Sequence, residues 1–143
     1  MAAAGSWTLT NGARTDILNG VHPFNSGTWK CALVLSTSNI STSSTTWAGV
    51  TNEVGTTNTG YSTGGATVTF AEAGTTSVTL KFSSNPVWTA GSANLTARFA
   101  VIYASAGNVV CYAVLDSTPA DVTATSGNTL TIDGITNAIL TLA

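Results

Sequence analysis

Two stretches of this sequence, Ala66-Thr67-Val68-Thr69-Phe70 and Ser77-Val78-Thr79-Leu80-Lys81-Phe82, alternate polar with apolar at every residue. A period of two sends successive side chains to opposite faces of a strand, so each stretch is expected to be half buried. Val68 and Phe70 are expected on the inner face of one, and Val78, Leu80 and Phe82 on that of the other. Glu72 to Thr76, with Gly74, reads as the hairpin loop between them. Thr28 to Leu35, holding Trp29 and Val34, is instead almost continuously apolar, as in a strand covered on both faces. Asn94 to Ala104 and Asn108 to Leu115, joined by Ser105-Ala106-Gly107, form a second hairpin. There Phe99, Val101 and Tyr103 share one face and Ala100 and Ile102 the other, so this hairpin is expected to lie centrally. Asn128 to Asp133 places Leu130 and Ile132 inward, and Ala138 to Leu142 reads as a last short strand. One segment reads as helical, Ala13 to Leu18, between the Asn11-Gly12 turn and the Asn19-Gly20 stop.

Roughly seven or eight short strands separated by Gly, Ser and Asn turns specify an all-β fold, an antiparallel two-sheet sandwich with one short N-terminal helix. At 143 residues the chain suits a single β-sandwich domain, 1–143. Within it, residues 1–27 read as an N-terminal arm and short helix. Residues 36–65 do not fit the strand pattern: they are rich in Ser, Thr, Asn and Gly, with sparse Ile40, Trp47, Val50, Val54 and Tyr61. They read as a long loop, or as an arm ordered against a neighbouring subunit.

Charge excludes several partners. Charged residues make up 7% of the chain, against about 25% in an average soluble protein. No basic stripe exists to neutralise phosphates, so no nucleic-acid partner is expected. No apolar stretch approaches the ~20 residues of a membrane span, and no membrane partner is expected. The start, Met1-Ala2-Ala3-Ala4-Gly5-Ser6-Trp7, lacks the basic and apolar regions of a signal peptide, so use without export is expected.

No catalytic or cofactor site is expected. His22 is the single histidine, beside Pro23, and reads as a surface or loop-packing residue. The six carboxylates are scattered; Asp116 and Asp121 flank the Ser117-Thr118-Pro119 turn, where Asp commonly caps. Cys31 and Cys111 lie in apolar runs and read as two small buried hydrophobes, with a disulfide as the alternative. A closed zinc site would need a carboxylate beside these cysteines and His22, so no metal is expected. Trp29 and Trp88 read as core. Trp7 and Trp47 have few apolar neighbours in sequence and, with Tyr61, suit a protein interface or a sugar-stacking platform. The candidate interface residues are Trp7, Trp47, Val50, Val54 and Tyr61.

The run from Leu9 through Asn11-Gly12-Ala13-Arg14-Thr15-Asp16-Ile17-Leu18 to His22 resembles the opening of small tailed-bacteriophage virion proteins. The likeness continues in Trp29-Lys30-Cys31-Ala32-Leu33, Thr51-Asn52-Glu53-Val54, Gly60-Tyr61-Ser62-Thr63-Gly64-Gly65 and Ala97-Arg98-Phe99-Ala100-Val101-Ile102-Tyr103. This resemblance to the capsid cement or decoration class implies a jelly-roll-like sandwich on the outer face of the head, made in the host cytoplasm. It implies the major capsid protein as partner, a homodimer or homotrimer, and no catalytic residue. A tail or head-fibre component is the alternative within the same class of virion proteins.

Overall fold

The computed structural model describes residues 5–118 and 120–143, and the backbone of Ala2 and Ala3. Residues 1 and 4 of the expected arm, and Pro119 of the expected turn, lie outside the described residues.

The chain opens with β1 (Ala2–Ala3) and β2 (Trp7–Leu9), followed by α1 (Asn11–Leu18). Thr10 starts the helix: its Oγ1 accepts from the Ala13 N–H at 3.2 Å and donates to the Val109 carbonyl at 2.9 Å. One buried hydroxyl therefore caps α1 and ties it to the sheet. β3 (Trp29–Val34) follows, then β4 (Ala66–Val68), β5 (Phe70–Ala73) and β6 (Val78–Phe82). Next come β7 (Val87–Thr89), β8 (Leu95–Ala97), β9 (Phe99–Ala104) and β10 (Val109–Val114). β11 (Val122–Ala124), β12 (Thr129–Ile132) and β13 (Leu140–Leu142) complete the described elements.

The fold is an all-β sandwich with one short helix. Its largest sheet has the order β2-β10-β9-β3-β4. Two strands expected to be continuous are broken where the chain changes sheets. The alternating stretch 66–70 divides at Thr69: β4 pairs with β3, while β5 pairs with β6 in a sheet ordered β13-β6-β5. Asn94 to Ala104 divides at Arg98, β8 pairing with β11 and β9 with β3 and β10. The β5–β6 hairpin turns where expected, at Gly74, whose φ of 101° suits glycine. A third sheet, β1-β12-β7, is antiparallel except for the parallel β1–β12 pair.

The main core lies between these layers. Trp29, Cys31 and Leu33 of β3 and Ala100 and Ile102 of β9 meet Trp88, Leu95, Leu130 and Ile132 in one buried cluster. The other face of the large sheet is also covered, as the two-sided apolar runs implied. Ala32, Val34, Val101, Tyr103 and Val109 pack there against Ile40, Trp47 and Val50.

That second cover corrects the reading of residues 36–65 as an arm. The segment is stitched to its own domain. Leu35 N–H donates to Asn52 O at 2.9 Å, Val54 N–H to Leu33 O at 3.0 Å and Trp47 N–H to Gly107 O at 2.7 Å. Asn11 N–H donates to Thr42 O at 2.8 Å, so α1 is tied to it too. An outward-reaching arm would leave the apolar outer face of β3 and β9 in water, at about 1.5–3 kcal/mol per large side chain. Residues 5–27 are likewise no arm: Trp7 pairs with Ala113, and α1 follows directly.

Candidate functional site

The structure does not gather the five candidate interface residues into one place. Val54 and Tyr61, 5% and 3% exposed, belong to the main core and are not available to a partner. Tyr61 was legible as an isolated aromatic in a polar segment, but its hydroxyl works inward: it accepts from the buried Leu33 N–H at 3.1 Å and donates to Glu53 Oε1 at 2.8 Å. Glu53 also accepts from the Gly64 N–H, and Tyr103 donates its hydroxyl to Gly64 O at 2.8 Å. Burial, and then the neighbouring Glu53, push the Tyr61 phenol far above its ordinary value, so it stays a donor. Trp47 and Val50 are half-buried on the outer face, Trp47 stacked on Tyr103 with ring centroids 4.6 Å apart. Trp7 is elsewhere, half-buried at the main core and edge-on to Phe82 at 6.0 Å.

Trp7 lines an open groove. Because Thr69 carries the chain from β4 into β5, the strands run β2-β10-β9-β3-β4, then β5-β6-β13. The two end strands, β2 and β13, come back to face each other without pairing among the described residues. Between them lies a groove of about 800 Å3, lined by residues 5–9, Arg14 and residues 136–141. Its volume falls in the range of ligand sites, roughly 300–1,000 Å3. Beside it, sharing Leu140, is a mostly apolar notch of about 90 Å3 lined by Ile17, Val78 and Leu142, with His22 and Glu72 also in its wall.

Register fixes what β2 offers this groove. Thr8 pairs with Tyr112, and the Thr10 N–H donates to Val110 O at 2.9 Å. Hydrogen-bonded pairs alternate in an antiparallel ladder, so Thr8 and Thr10 spend their main-chain groups on β10. Trp7 and Leu9 turn theirs the other way, toward the open side. At the start of the strand, Gly5 donates to Val114 O at 2.8 Å, and a Cβ there would lie 2.7 Å from that oxygen. Only glycine permits this approach.

The other wall is set by Asp133. Its Oδ1 accepts from the Ile135 and Thr136 N–H groups, both at 3.0 Å, and from Asn85 Nδ2 at 3.3 Å. Desolvation raises this carboxyl, but the hydrogen bonds from Thr136, Ile135 and Asn85 outweigh it and hold it below its ordinary value. Arg14 is the one charged residue in the groove lining. Its guanidinium is exposed, reaches Asn11 Oδ1 at 3.5 Å, and meets no carboxylate among the described residues. The Trp7 indole N–H is buried without an acceptor among the described residues.

His22 is buried against Phe24 and Trp29, with Nε2 3.2 Å from Asp16 Oδ2, a loop-packing role. Cys31 and Cys111 are both free and fully buried. Each pairs with Ile102 from opposite sides of β9, so two strand spacings, about 9–10 Å, separate them. A disulfide spans at most about 7 Å between Cα atoms. Burial raises both thiols well above their ordinary value. Among the described residues no three His, Cys, Asp or Glu side chains form a metal-holding group, and no helix is long and apolar enough to cross a membrane. Compared with family models, curated proteins and solved structures, the chain matches none. The groove walls, Thr8, Arg14 and residues 136–141, were not among the candidate interface residues, although Ala138 to Leu142 was read as a strand. For Thr8 the one signal was the three-residue alternation Trp7-Thr8-Leu9.

Proposed function

We propose that the protein is a non-enzymatic virion structural protein of the capsid cement or decoration class, binding the outside of the head across neighbouring subunits. The observation that carries a protein-binding role is the open seam, where two sheet edges unpaired among the described residues flank a groove some 800 Å3 in volume. Unpaired edges are templates for another chain, and folded proteins commonly guard them with Lys, Pro or bulges. β2 carries none of Lys, Pro or an acidic residue, and its one guard is its length of three residues. The resemblance in sequence supplies the virion assignment, with the major capsid protein and further copies of this chain as partners. Low charge serves the role, since few ionic groups need desolvation when the surface is covered. Binding the assembled shell alone stabilises that state by mass action.

The test is addition of the purified protein to expanded heads that lack it. Saturable binding at hundreds of copies, with a rise in the temperature of head disruption, is the expected result. Heads that do not bind it and melt unchanged would overturn the proposal, and a handful of copies at one vertex would move it to the tail or a fibre. The sugar-stacking alternative loses Tyr61 to the core and one face of Trp47 to Tyr103.

A further inference from the structure

The seam constrains the chemistry of what fills it. Trp7 and Leu9 present main-chain donors and acceptors on the open side of β2, the arrangement that adds an extended segment by main-chain hydrogen bonding. Four or five residues of extended chain cover β2 from Gly5 to Leu9, about 13–17 Å at strand rise. Within reach of that segment the groove carries a single charge, Arg14, with no carboxylate paired to it among the described residues. A neutral strand would leave the guanidinium beside a newly desolvated wall without a counter-charge; a strand bearing a carboxylate gives it a bidentate acceptor. The neighbouring notch, lined by Ile17, Glu72, Leu140 and Leu142 among others, adjoins β13 and includes no β2 residue, so it lies outside this site.

We propose that the groove is an acceptor site for an extended segment of the shell protein, added as a strand along β2, with an acidic side chain paired to Arg14. Identification of the donor as the shell protein rests on the head-binding reading; the strand-acceptor geometry does not.

The probe is a capped heptapeptide of alternating valine and threonine with a central glutamate, and its glutamine counterpart, titrated into the 15N-labelled full chain. The glutamate peptide is expected to shift the amide resonances of Trp7 and Leu9 first and to slow their exchange with solvent. The glutamine peptide is expected to bind about threefold more weakly, a difference that Arg14→Gln, on the exposed face of α1, abolishes. Leu9→Pro removes an outward N–H while sparing the β10 ladder, and is expected to abolish binding of both peptides. Should Leu9→Pro unfold, Arg14→Gln alone decides the charge pairing and the exchange rates decide the edge. No shift at millimolar peptide, shifts centred away from β2, or equal affinity for the two peptides would overturn the proposal. Failure with the peptides by a protein that binds heads overturns the strand site alone. A protein that takes the peptide and ignores heads overturns the head assignment alone.

Discussion

Replacing Tyr61 with Phe removes one oxygen atom and tests how residues 36–65 are held. The ring stays in its place among Trp88 and the main core, so no cavity opens. The lost hydroxyl leaves the Leu33 N–H, on a residue with no exposed surface, without its acceptor. An orphaned buried donor costs about 1–3 kcal/mol. Glu53 loses one donor and keeps the Gly64 N–H, adding about 1 kcal/mol at a partly solvated carboxylate. The sum is about 2–4 kcal/mol, which at roughly 3 °C per kcal/mol for a chain of this size lowers Tm by about 6–12 °C. Urea denaturation followed by circular dichroism measures this, with the midpoint falling and the slope m unchanged. Exchange of the Val54 amide, whose bond to Leu33 O sits beside the lost hydroxyl, should accelerate in parallel. A Tm within 1–2 °C of wild type, with Val54 still protected, would refute the clamp.

Trp7→Phe keeps the aromatic packing on Phe82 and deletes a donor with no acceptor, so its stability should match or exceed wild type, while Trp7→Ala should cost about 2 kcal/mol or more; paired thermal melts compare them. Because its carboxyl is held low in the folded state, Asp133 contributes stability above the unfolded carboxylate value near 4, and that contribution is lost as pH falls through the lower folded value. Melts of wild type and Asp133→Asn from pH 6 to pH 2 should therefore converge toward acid, and a constant difference would contradict the sign. Cys31 and Cys111 should stay unreactive to a thiol-disulfide reagent in the native protein and titrate as two free thiols in denaturant; one thiol or none would indicate a bridge.

The two-sided apolar runs made the core of the fold legible: β3, β9 and β10 lie within the expected stretches Thr28 to Leu35, Asn94 to Ala104 and Asn108 to Leu115, the second of which also holds β8. Leu130 and Ile132 face inward as their alternation implied. Thr69 and Arg98 were not legible as breaks, because a strand that passes between sheets keeps its period of two through the crossing. Tyr61 and Val54 were misplaced for a different reason. Their polar, glycine-rich neighbours suggest exposure, yet the segment is folded back by main-chain bonds to Leu33 and Leu35 that leave no trace in side-chain pattern. The seam was hidden because it depends on β2 and β13 meeting, two three-residue strands more than 130 residues apart in the chain. Trp7, expected at an interface, is half-buried against the main core and lines the groove, while its neighbours Thr8 and Arg14 carry no comparable signal in the sequence.

A cryo-EM map of the native particle tests the central claim most directly, since it shows copy number, location and the occupant of the seam together. The expected map has this chain on the outer surface of the head, with an extended segment of the shell protein along β2 and an acidic side chain against Arg14. A map in which the β2–β13 groove faces open solvent on every copy, all shell contacts being made through other surfaces, would contradict it.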